Sequence, residues 1–223
     1  MRPEAVEAEK TWNRVGQRYT NAWDNPLTGD AERQRLTAIF EQHNVFTPGA
    51  IILDLACGKG TLLTFAQNGR IGFVTELDVS PVMLAGAKAK ADELGMADQV
   101  KFVVADAQET GLPGNAYDTV IIFNALPHFK SDIPGLIGEI SRVLKPNGRL
   151  IIAHDLSREA LNKKHREREE FKEDLVPSKE SLAQAFSQRR LQAEEWIDTP
   201  SIDYILVTAR KLGTDTLFEH NEE

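Results

Sequence analysis

Two glycines and two aspartates of this chain have the types and spacing of a ligand-binding turn. Gly58 and Gly60 follow an apolar run in IILDLACGKG (51–60), where absent side chains let the backbone approach a ligand closely. Asp54 lies inside the run, and Asp78 ends the next apolar run in ELDVSP. A carboxylate in the place of Asp78 can accept both hydroxyl protons of a ribose. The pattern predicts a nucleotide or adenosyl site, and a tight turn without a ligand is the alternative.

A third aspartate and a missing glycine narrow the choice of ligand. Asp106 follows a third apolar run, in VVADA, where a carboxylate beside a backbone N–H could meet the edge of an adenine. A dinucleotide site would need G-x-G-x-x-G, but Leu63 stands where the third glycine belongs. A smaller adenosyl ligand is therefore favoured over a dinucleotide. A helix cap or a turn is the alternative role for each aspartate taken alone.

Two of the five histidines follow predicted strands. His128 comes after the fourth apolar run, in LPHF, and His154 ends the fifth, in RLIIAH. The carboxyl ends of parallel strands meet at one edge of a sheet, and a histidine there is a natural general base near pH 7. The alternatives are an ordinary loop residue for His128 and a hydrogen bond from His154 to a loop backbone.

A third histidine belongs to the charged segment that follows. His165 would share a helical face with Arg158 and Asn162, at spacings of seven and three residues. That face could bring His165 toward His128 and His154, where the three rings would form either a polar pocket or a metal site. The sequence has no metal-ligand spacing, so no metal is expected, and a solvated helix is the simplest interpretation.

The elements that would position these residues alternate in the manner of an α/β protein. Runs of strand length alternate with helical patterns between residues 50 and 155, which is typical of βαβ units around a parallel sheet. The predicted strands are 51–56, 71–77, 100–105, 117–124 and 149–154. The predicted helices are at about 60–68, 81–94 and 132–144, and LKPNG (144–148) is predicted to end the last of them in a turn.

The two ends of the chain differ from this central pattern. Residues 1–47 are predicted to form an N-terminal helical lid, in which Trp12, Tyr19 and Trp23 could cover a ligand or pack ordinarily. A domain at 48–211 would carry a helical insertion at about 156–176 and end in LQAEEWIDTP and SIDYILVTARK, which must pair as an antiparallel hairpin. Residues 212–223 are predicted to be a flexible acidic tail.

Composition limits the classes of partner. The formal net charge is -8, and no long block of Lys and Arg is present, so a nucleic-acid partner is disfavoured. A single cysteine cannot form an internal disulfide, and no apolar run reaches 18 residues. We expect a cytoplasmic protein, without a membrane span, that is a monomer or a homodimer.

The ordered series LDLACGKG, ELDVSPVML, VVADAQETGLP, YDTVIIFNALPHF and LKPNGRLIIAH resembles the motifs of class I S-adenosylmethionine-dependent methyltransferases. Among them, it is most similar to quinone-biosynthesis C-methyltransferases and their small-molecule relatives, over about residues 48–155. The resemblance implies a doubly wound, Rossmann-like α/β fold. Its seven-stranded, mostly parallel sheet would have the order 3-2-1-4-5-7-6, with the last strand antiparallel.

The resemblance also implies residues for S-adenosyl-L-methionine. Those expected at its methionine end are Asp54, Ala56, Gly58, Gly60 and Asn124, with Ala56 standing where many members have a glycine. Those expected at its adenosine end are Asp78 for the ribose, Val79 against the adenine, and Asp106 with Ala107 at its amino edge. Tyr19, from the predicted lid, is the further candidate for a cofactor contact.

The implied reaction moves a methyl group to a small-molecule acceptor and leaves S-adenosyl-L-homocysteine. The string NALP (124–127) differs from the Asn/Asp-Pro-Pro-aromatic string of many nitrogen methyltransferases, which favours oxygen, carbon, sulfur or another soft atom. His128 and His154 are the candidates for acceptor contact or general base. The rival hypotheses are a cofactor-binding regulator without transferase activity and an NAD-dependent oxidoreductase, which Leu63 and the terminal hairpin disfavour.

Overall fold

The computed structural model describes residues 2–18, 30–66, 71–129, 132–199 and 202–213. Tyr19, Trp23 and residues 214–223 of the predicted tail lie outside these ranges. Seven strands in the described part of the chain form a sheet of order β3-β2-β1-β4-β5-β7-β6, as the resemblance implied. The strands are β1 Ile51–Leu55, β2 Phe73–Asp78, β3 Val100–Val104, β4 Tyr117–Phe123, β5 Leu144–His154, β6 Leu191–Ile197 and β7 Ile205–Lys211.

Six α-helices accompany these strands in the described residues. They are α1 Pro3–Arg18, α2 Asp30–Gln42, α3 Pro81–Glu93, α4 Ile133–Val143, α5 Arg158–Arg166 and α6 Lys179–Ser187. Short 3₁₀ turns occur at Thr61–Thr64, Ala97–Gln99 and Leu126–Phe129. Within the described ranges, no helix combines the length and the apolar character that crossing a membrane requires.

The chain divides into two compact units. The first comprises Met1–Gly111 with Ile121–Phe123, and the second comprises Leu112–Val120 with Asn124–Glu223. The first unit therefore holds β1, β2 and β3 with the glycine turn. The second holds the histidines that follow β4 and β5.

In the first unit, β1, β2 and β3 pair in parallel. Residues of β1 that point to both faces are buried, among them Ile52, Leu53 and Leu55, as expected for a parallel strand covered on both sides. Ser80 caps α3 with its Oγ, which accepts from the Met83 N–H at 3.1 Å, and Pro81 follows at the first helical position.

Helix α1 packs closely on the beginning of α3. Val15 is 2% exposed, and a Cβ added to Gly16 would lie 3.0 Å from Val82 Cγ1. Glycine at position 16 therefore lets the two helices approach more closely than a larger residue would allow. The second half of α1 thus packs against α3 within the first unit.

In the second unit, the terminal hairpin predicted from the sequence is confirmed. β7 pairs antiparallel with both β5 and β6, which places it between them in the order of the sheet. Helix α4 contributes an apolar stripe at helical spacing to the core of this unit. Its buried members are Ile133, Leu136, Ile137, Ile140 and Val143.

Two predicted elements are wrong in their extent. The helix expected at 60–68 is only the 3₁₀ turn Thr61–Thr64 in the described residues. The turn expected at LKPNG belongs to β5, which begins at Leu144. Side chains of β7 hold this stretch, since Lys211 Nζ donates to the Leu144 carbonyl and Arg210 Nη1 to the Asn147 carbonyl.

The charged helix after β5 is also shorter than predicted. Helix α5 ends at Arg166, and the remainder of the stretch expected to be helical up to residue 176 forms turns and irregular structure. Arg158 Nη1 donates to the Val176 carbonyl at 2.8 Å, and the Val176 N–H donates to Asn162 Oδ1 at 3.0 Å. The segment therefore folds back onto α5 instead of extending it.

Candidate functional site

The turn after β1 has the backbone conformation that its glycines predict. Gly58 and Gly60 have φ of 56° and 74°, in the left-handed region that glycine adopts without strain. A Cβ on Gly60 would lie 3.1 Å from Ala87 Cα, whereas one on Gly58 would meet no described atom within 4 Å. Gly60 is thus required by packing, and Gly58 faces open space in the described structure. Ala56 has φ of 61°, a conformation in which a Cβ is strained.

Asp78 ties this turn to the end of β2. Its Oδ2 accepts from the Gly58 N–H and its Oδ1 from the Ser80 N–H, each at 2.9 Å. Burial raises the pKa of Asp78 to about 6, against the opposing effect of the backbone donors of Ser80, Gly58 and Val79. The carboxylate that would hold a ribose therefore also organises the loop beneath it.

Three buried acids lie close to this turn. Asp54 and Glu76 are 1% and 0% exposed. Burial, with a smaller effect of Asp78, raises the pKa of Asp54 to about 8. Burial and the charge of Asp54 likewise raise the pKa of Glu76 well above its usual range. Oδ1 of Asp54 has no hydrogen-bond partner among the described residues, so it is available to a ligand donor.

These features fit the methionine end of an adenosyl cofactor. An unpartnered buried carboxyl oxygen calls for a cationic or N–H donor, and an ammonium group would supply one. The open space beside Gly58 would admit a ligand close to the backbone. The residues present are thus compatible with S-adenosylmethionine.

Asp106 is held by an arginine that immediately precedes α1. Arg2 Nε donates to Asp106 Oδ2 at 2.7 Å and Arg2 Nη2 donates to Oδ1 at 3.1 Å. The Gln108 N–H also donates to Oδ1, at 2.9 Å. Ala107 is buried and Val79 is half-buried. The predicted adenine-reading carboxylate therefore already has charged donors.

Helix α1 makes a second polar contact near the predicted ribose site. The Ser80 hydroxyl donates to Asn13 Oδ1 at 2.6 Å. Trp12, next to Asn13, is half-buried on α1. The first part of the predicted lid thus contacts the residues after β2 and β3, while Tyr19 and Trp23 lie outside the described ranges.

In the second unit, His128 and Asp174 form a buried pair. His128 Nδ1 lies 2.7 Å from Asp174 Oδ2, with the two side chains 9% and 12% exposed. The bond fixes the orientation of the imidazole ring, as a carboxylate commonly does for a catalytic histidine. Asp174 was not among the residues predicted from the sequence.

His165 completes this cluster. Its ring stacks on that of His128, with centroids 5.2 Å apart and an interplanar angle of 28°, and its Nδ1 donates to the backbone carbonyl of Asp174. The Phe171 ring lies 5.1 Å from His128 and 6.0 Å from His165. Burial is the main cause that lowers the pKa of His165. The sequence-based expectation that His165 approaches His128 is thus realised.

His154 is buried without a hydrogen-bond partner. It is 1% exposed, and neither ring nitrogen has a partner in the described part of the chain. Burial is the main cause that lowers its pKa to about 3, and the charges of His128, His165 and Arg158 contribute. The ring is therefore neutral at pH 7 and a weak base there.

The arrangement of possible metal ligands bears on the metal alternative. Among the residues that the structure describes, no group of three or more His, Cys, Asp or Glu side chains is arranged to hold a metal ion. His128 and His165 contact each other, and their further contacts include Asp174 and Phe171.

Asn124, which was predicted to lie beside the methionine portion of the cofactor, links two strands through hydrogen bonds. Its φ is 56°, its N–H donates to the Ala153 carbonyl at 2.9 Å, and its Oδ1 accepts from the Asp155 N–H at 3.0 Å. It therefore joins the ends of β4 and β5. These contacts leave its predicted cofactor role open.

Residues 52–148 match the sequence model of a protein family that is described as "Methyltransferase domain". The demethylmenaquinone methyltransferase of Symbiobacterium thermophilum is 31% identical over 153 residues, or 67% of this chain. The chain covers 60% of that relative's own length.

Two solved structures have the same fold. The 4+2 cyclase SpnF superposes with a TM-score of 0.66 and 25% identity, over 80% of each chain. The geranyl diphosphate C-methyltransferase of Streptomyces coelicolor, solved with Mg²⁺, geranyl diphosphate and S-adenosyl-L-homocysteine, has a TM-score of 0.69. It is 16% identical and covers 95% of this chain and 98% of its own, so its likeness is one of fold.

Proposed function

Because the chain belongs to the class I S-adenosylmethionine-dependent methyltransferases, we propose that it transfers a methyl group from S-adenosylmethionine to a small-molecule acceptor. One observation carries the proposal: Asp78 fastens the glycine turn through Gly58, beside a buried Asp54 whose Oδ1 has no partner among the described residues. Such a turn can hold a polar ligand close to the backbone. The quinone C-methyltransferase relatives favour a small acceptor.

The first unit would hold the cofactor. Asp54 would accept from its ammonium group, and the backbone at Ala56, Gly58 and Gly60 would lie against its methionine portion. At the adenosine end, Asp78 would accept from the ribose hydroxyls and Asp106 from the adenine amino group, with Val79 and Ala107 against the ring. The contacts proposed for Tyr19 and Asn124 stay predictions from the sequence.

The predicted histidines would serve the acceptor. When bound, S-adenosylmethionine supplies a methyl group that its sulfonium already makes electrophilic, so the chain need not generate a nucleophile. Its remaining tasks are to hold the acceptor in line, exclude water and remove a proton where the acceptor carries one. His128, oriented by Asp174, is the better candidate for that base. His154, with a pKa of about 3, is better suited to a neutral hydrogen bond.

The acceptor atom would be oxygen, carbon, sulfur or another soft atom. The net charge of -8 favours a small molecule over a nucleic acid as the acceptor. We further propose that the protein is cytoplasmic and acts as a monomer or a homodimer.

A cofactor-binding protein without transferase activity is the second candidate. SpnF, which is named as a cyclase, superposes over 80% of this chain, so this fold serves proteins with other activities. Both candidates require the same cofactor residues, and they differ in whether a labelled methyl group leaves the cofactor. A nicotinamide cofactor is disfavoured by Leu63 in the turn.

Calorimetry and an acceptor screen would test the proposal in two steps. S-adenosylhomocysteine should bind the full chain and NAD should not; the reverse result would reject the family assignment of the site. Incubation with S-adenosylmethionine labelled on its methyl group, over a panel of quinols, phenols, thiols and isoprenoids, should yield a labelled product. Binding without transfer to any class of the panel would favour the second candidate.

A further inference from the structure

The carboxylate proposed to read the adenine is occupied by a residue of the chain itself. Asp106 accepts two hydrogen bonds from the Arg2 guanidinium, at 2.7 and 3.1 Å. Arg2 Nη2 also donates to Gln108 Oε1. The Gln108 backbone N–H also donates to Asp106 Oδ1. Both oxygens of Asp106 are therefore in use, in the geometry of a strong charge-assisted pair.

Arg2 also covers the carboxylate. Asp106 is only 7% exposed, whereas the Arg2 side chain is 28% exposed. An adenine amino group would be a neutral donor of a single bond, and it would meet a carboxylate whose two oxygens already accept bonds from the Arg2 guanidinium. The adenine and the guanidinium would thus compete for Asp106.

The rest of α1 is held independently of this pair. The Ser80 hydroxyl bonds Asn13 at 2.6 Å, Val15 is buried, and Gly16 approaches Val82 closely. The backbone carbonyl of Arg2 accepts from the Ala5 N–H at 3.0 Å. The guanidinium can therefore swing away while the helix keeps its place.

We propose that Arg2 is an internal occupant of the adenine subsite, which competes with the cofactor for Asp106 and thereby sets cofactor affinity. This inference rests on the proposed function, since it assumes that an adenosyl ligand binds beside Asp106. The pair is partly exposed, so salt weakens it. Raising the salt concentration should accordingly tighten the binding of a neutral adenosyl ligand, the opposite of an ordinary ionic contact.

The test compares the binding of S-adenosylhomocysteine to the full chain and to variants by calorimetry. Arg2→Met removes the guanidinium and keeps an extended side chain, and it should tighten binding roughly threefold to fivefold, as expected for a partly exposed pair. Lys10→Met is the matched control, because Lys10 is an exposed cation of α1, the helix that follows Arg2, and is paired with Glu7. It should leave the affinity within a factor of about two.

Repeating the comparison in the Asp106→Asn variant distinguishes competition for Asp106 from an unrelated effect of the substitution on α1. In Asp106→Asn the pair is already weakened, so adding Arg2→Met should bring little further gain. An equal gain in both backgrounds, or weaker binding by Arg2→Met, would overturn the inference. If the wild type and both single-site variants of α1 all fail to bind the ligand, the proposed function fails instead.

Discussion

Asp54 on β1 and Glu76 on β2 are register partners in neighbouring parallel strands. Partners in such a register point to the same face of the sheet, and both carboxyl groups are buried. Burial is the larger cause that raises the pKa of each, and Asp54 reaches about 8. Asp54 thus retains most of its proton at pH 7 when no cation lies beside it.

Cofactor binding should therefore release protons. A cation beside Asp54 stabilises the carboxylate and lowers its pKa from about 8, so a proton bound at pH 7 is lost on binding. Titration with S-adenosylmethionine in phosphate and in Tris should give different apparent heats, equivalent to at most about one proton from Asp54. Asp54→Asn should reduce that difference. Equal heats in the two buffers for the wild type would contradict the assignment.

Loss of Asp78 should impair binding through two routes. Asp78→Ala removes the predicted acceptor for the ribose hydroxyls and also the acceptor for the Gly58 and Ser80 N–H groups. We expect S-adenosylhomocysteine affinity to fall by about tenfold or more, since hydrogen bonds to a charged group contribute about 1.5–3 kcal/mol. Calorimetry measures this affinity, and Asp92→Asn, at an exposed residue of α3, is the control. Unchanged affinity would reject the ribose assignment.

Asp174 should orient His128 and stabilise the second unit. Asp174→Ala leaves a buried imidazole without its 2.7 Å partner, and should lower the free energy of unfolding by about 1–3 kcal/mol. The backbone carbonyl that binds His165 remains. Urea denaturation measures the loss, and histidine ¹⁵N spectra should show a change at His128. Glu173→Ala, at the exposed neighbour, is the control; equal stability of the two variants would argue against the pair.

His154 should make stability fall in mild acid. Its pKa is lowered from 6.5 to about 3 in the folded protein, so between these values the unfolded chain binds a proton that the folded chain does not. Stability is retained above pH 6.5 and declines below it, with a slope of up to about 1.4 kcal/mol per pH unit.

The comparison with His154→Gln isolates this effect, because the opposite contributions of Asp54 and Asp78 are common to both proteins. Urea denaturation between pH 7 and 5 should show the wild type losing stability relative to the variant. Parallel curves would mean that His154 is not buried as a neutral ring.

The sheet and the glycine turn were predictable because their signals are local. The resemblance carried by the ordered motifs implied the strand order, and two final strand-like runs with no helix between them predicted the hairpin. Glu76 was missed, although it lies two residues before Asp78 and so points to the same face of β2. Period-two spacing could have found it.

The long-range partners had no such signal. Asp174 lies 46 residues from His128 and Arg2 lies 104 residues from Asp106, and no spacing rule joins them. The charged stretch after Arg166 has the composition of a solvated helix, and the contacts of Arg158 and Asn162 with Val176 decide its fold instead. Tertiary contacts thus override local propensity there.

The buried acids also determine the behaviour of the chain's single cysteine. Cys57 is 8% exposed, and burial, reinforced by the charge of Glu76, raises the pKa of its thiol well above its usual value. Since only the thiolate reacts with alkylating reagents, the folded protein should be inert to them at neutral pH. Unfolding exposes the thiol and restores its reactivity. The sequence thus contains an intrinsic probe, whose labelling rate reports how often the glycine turn opens.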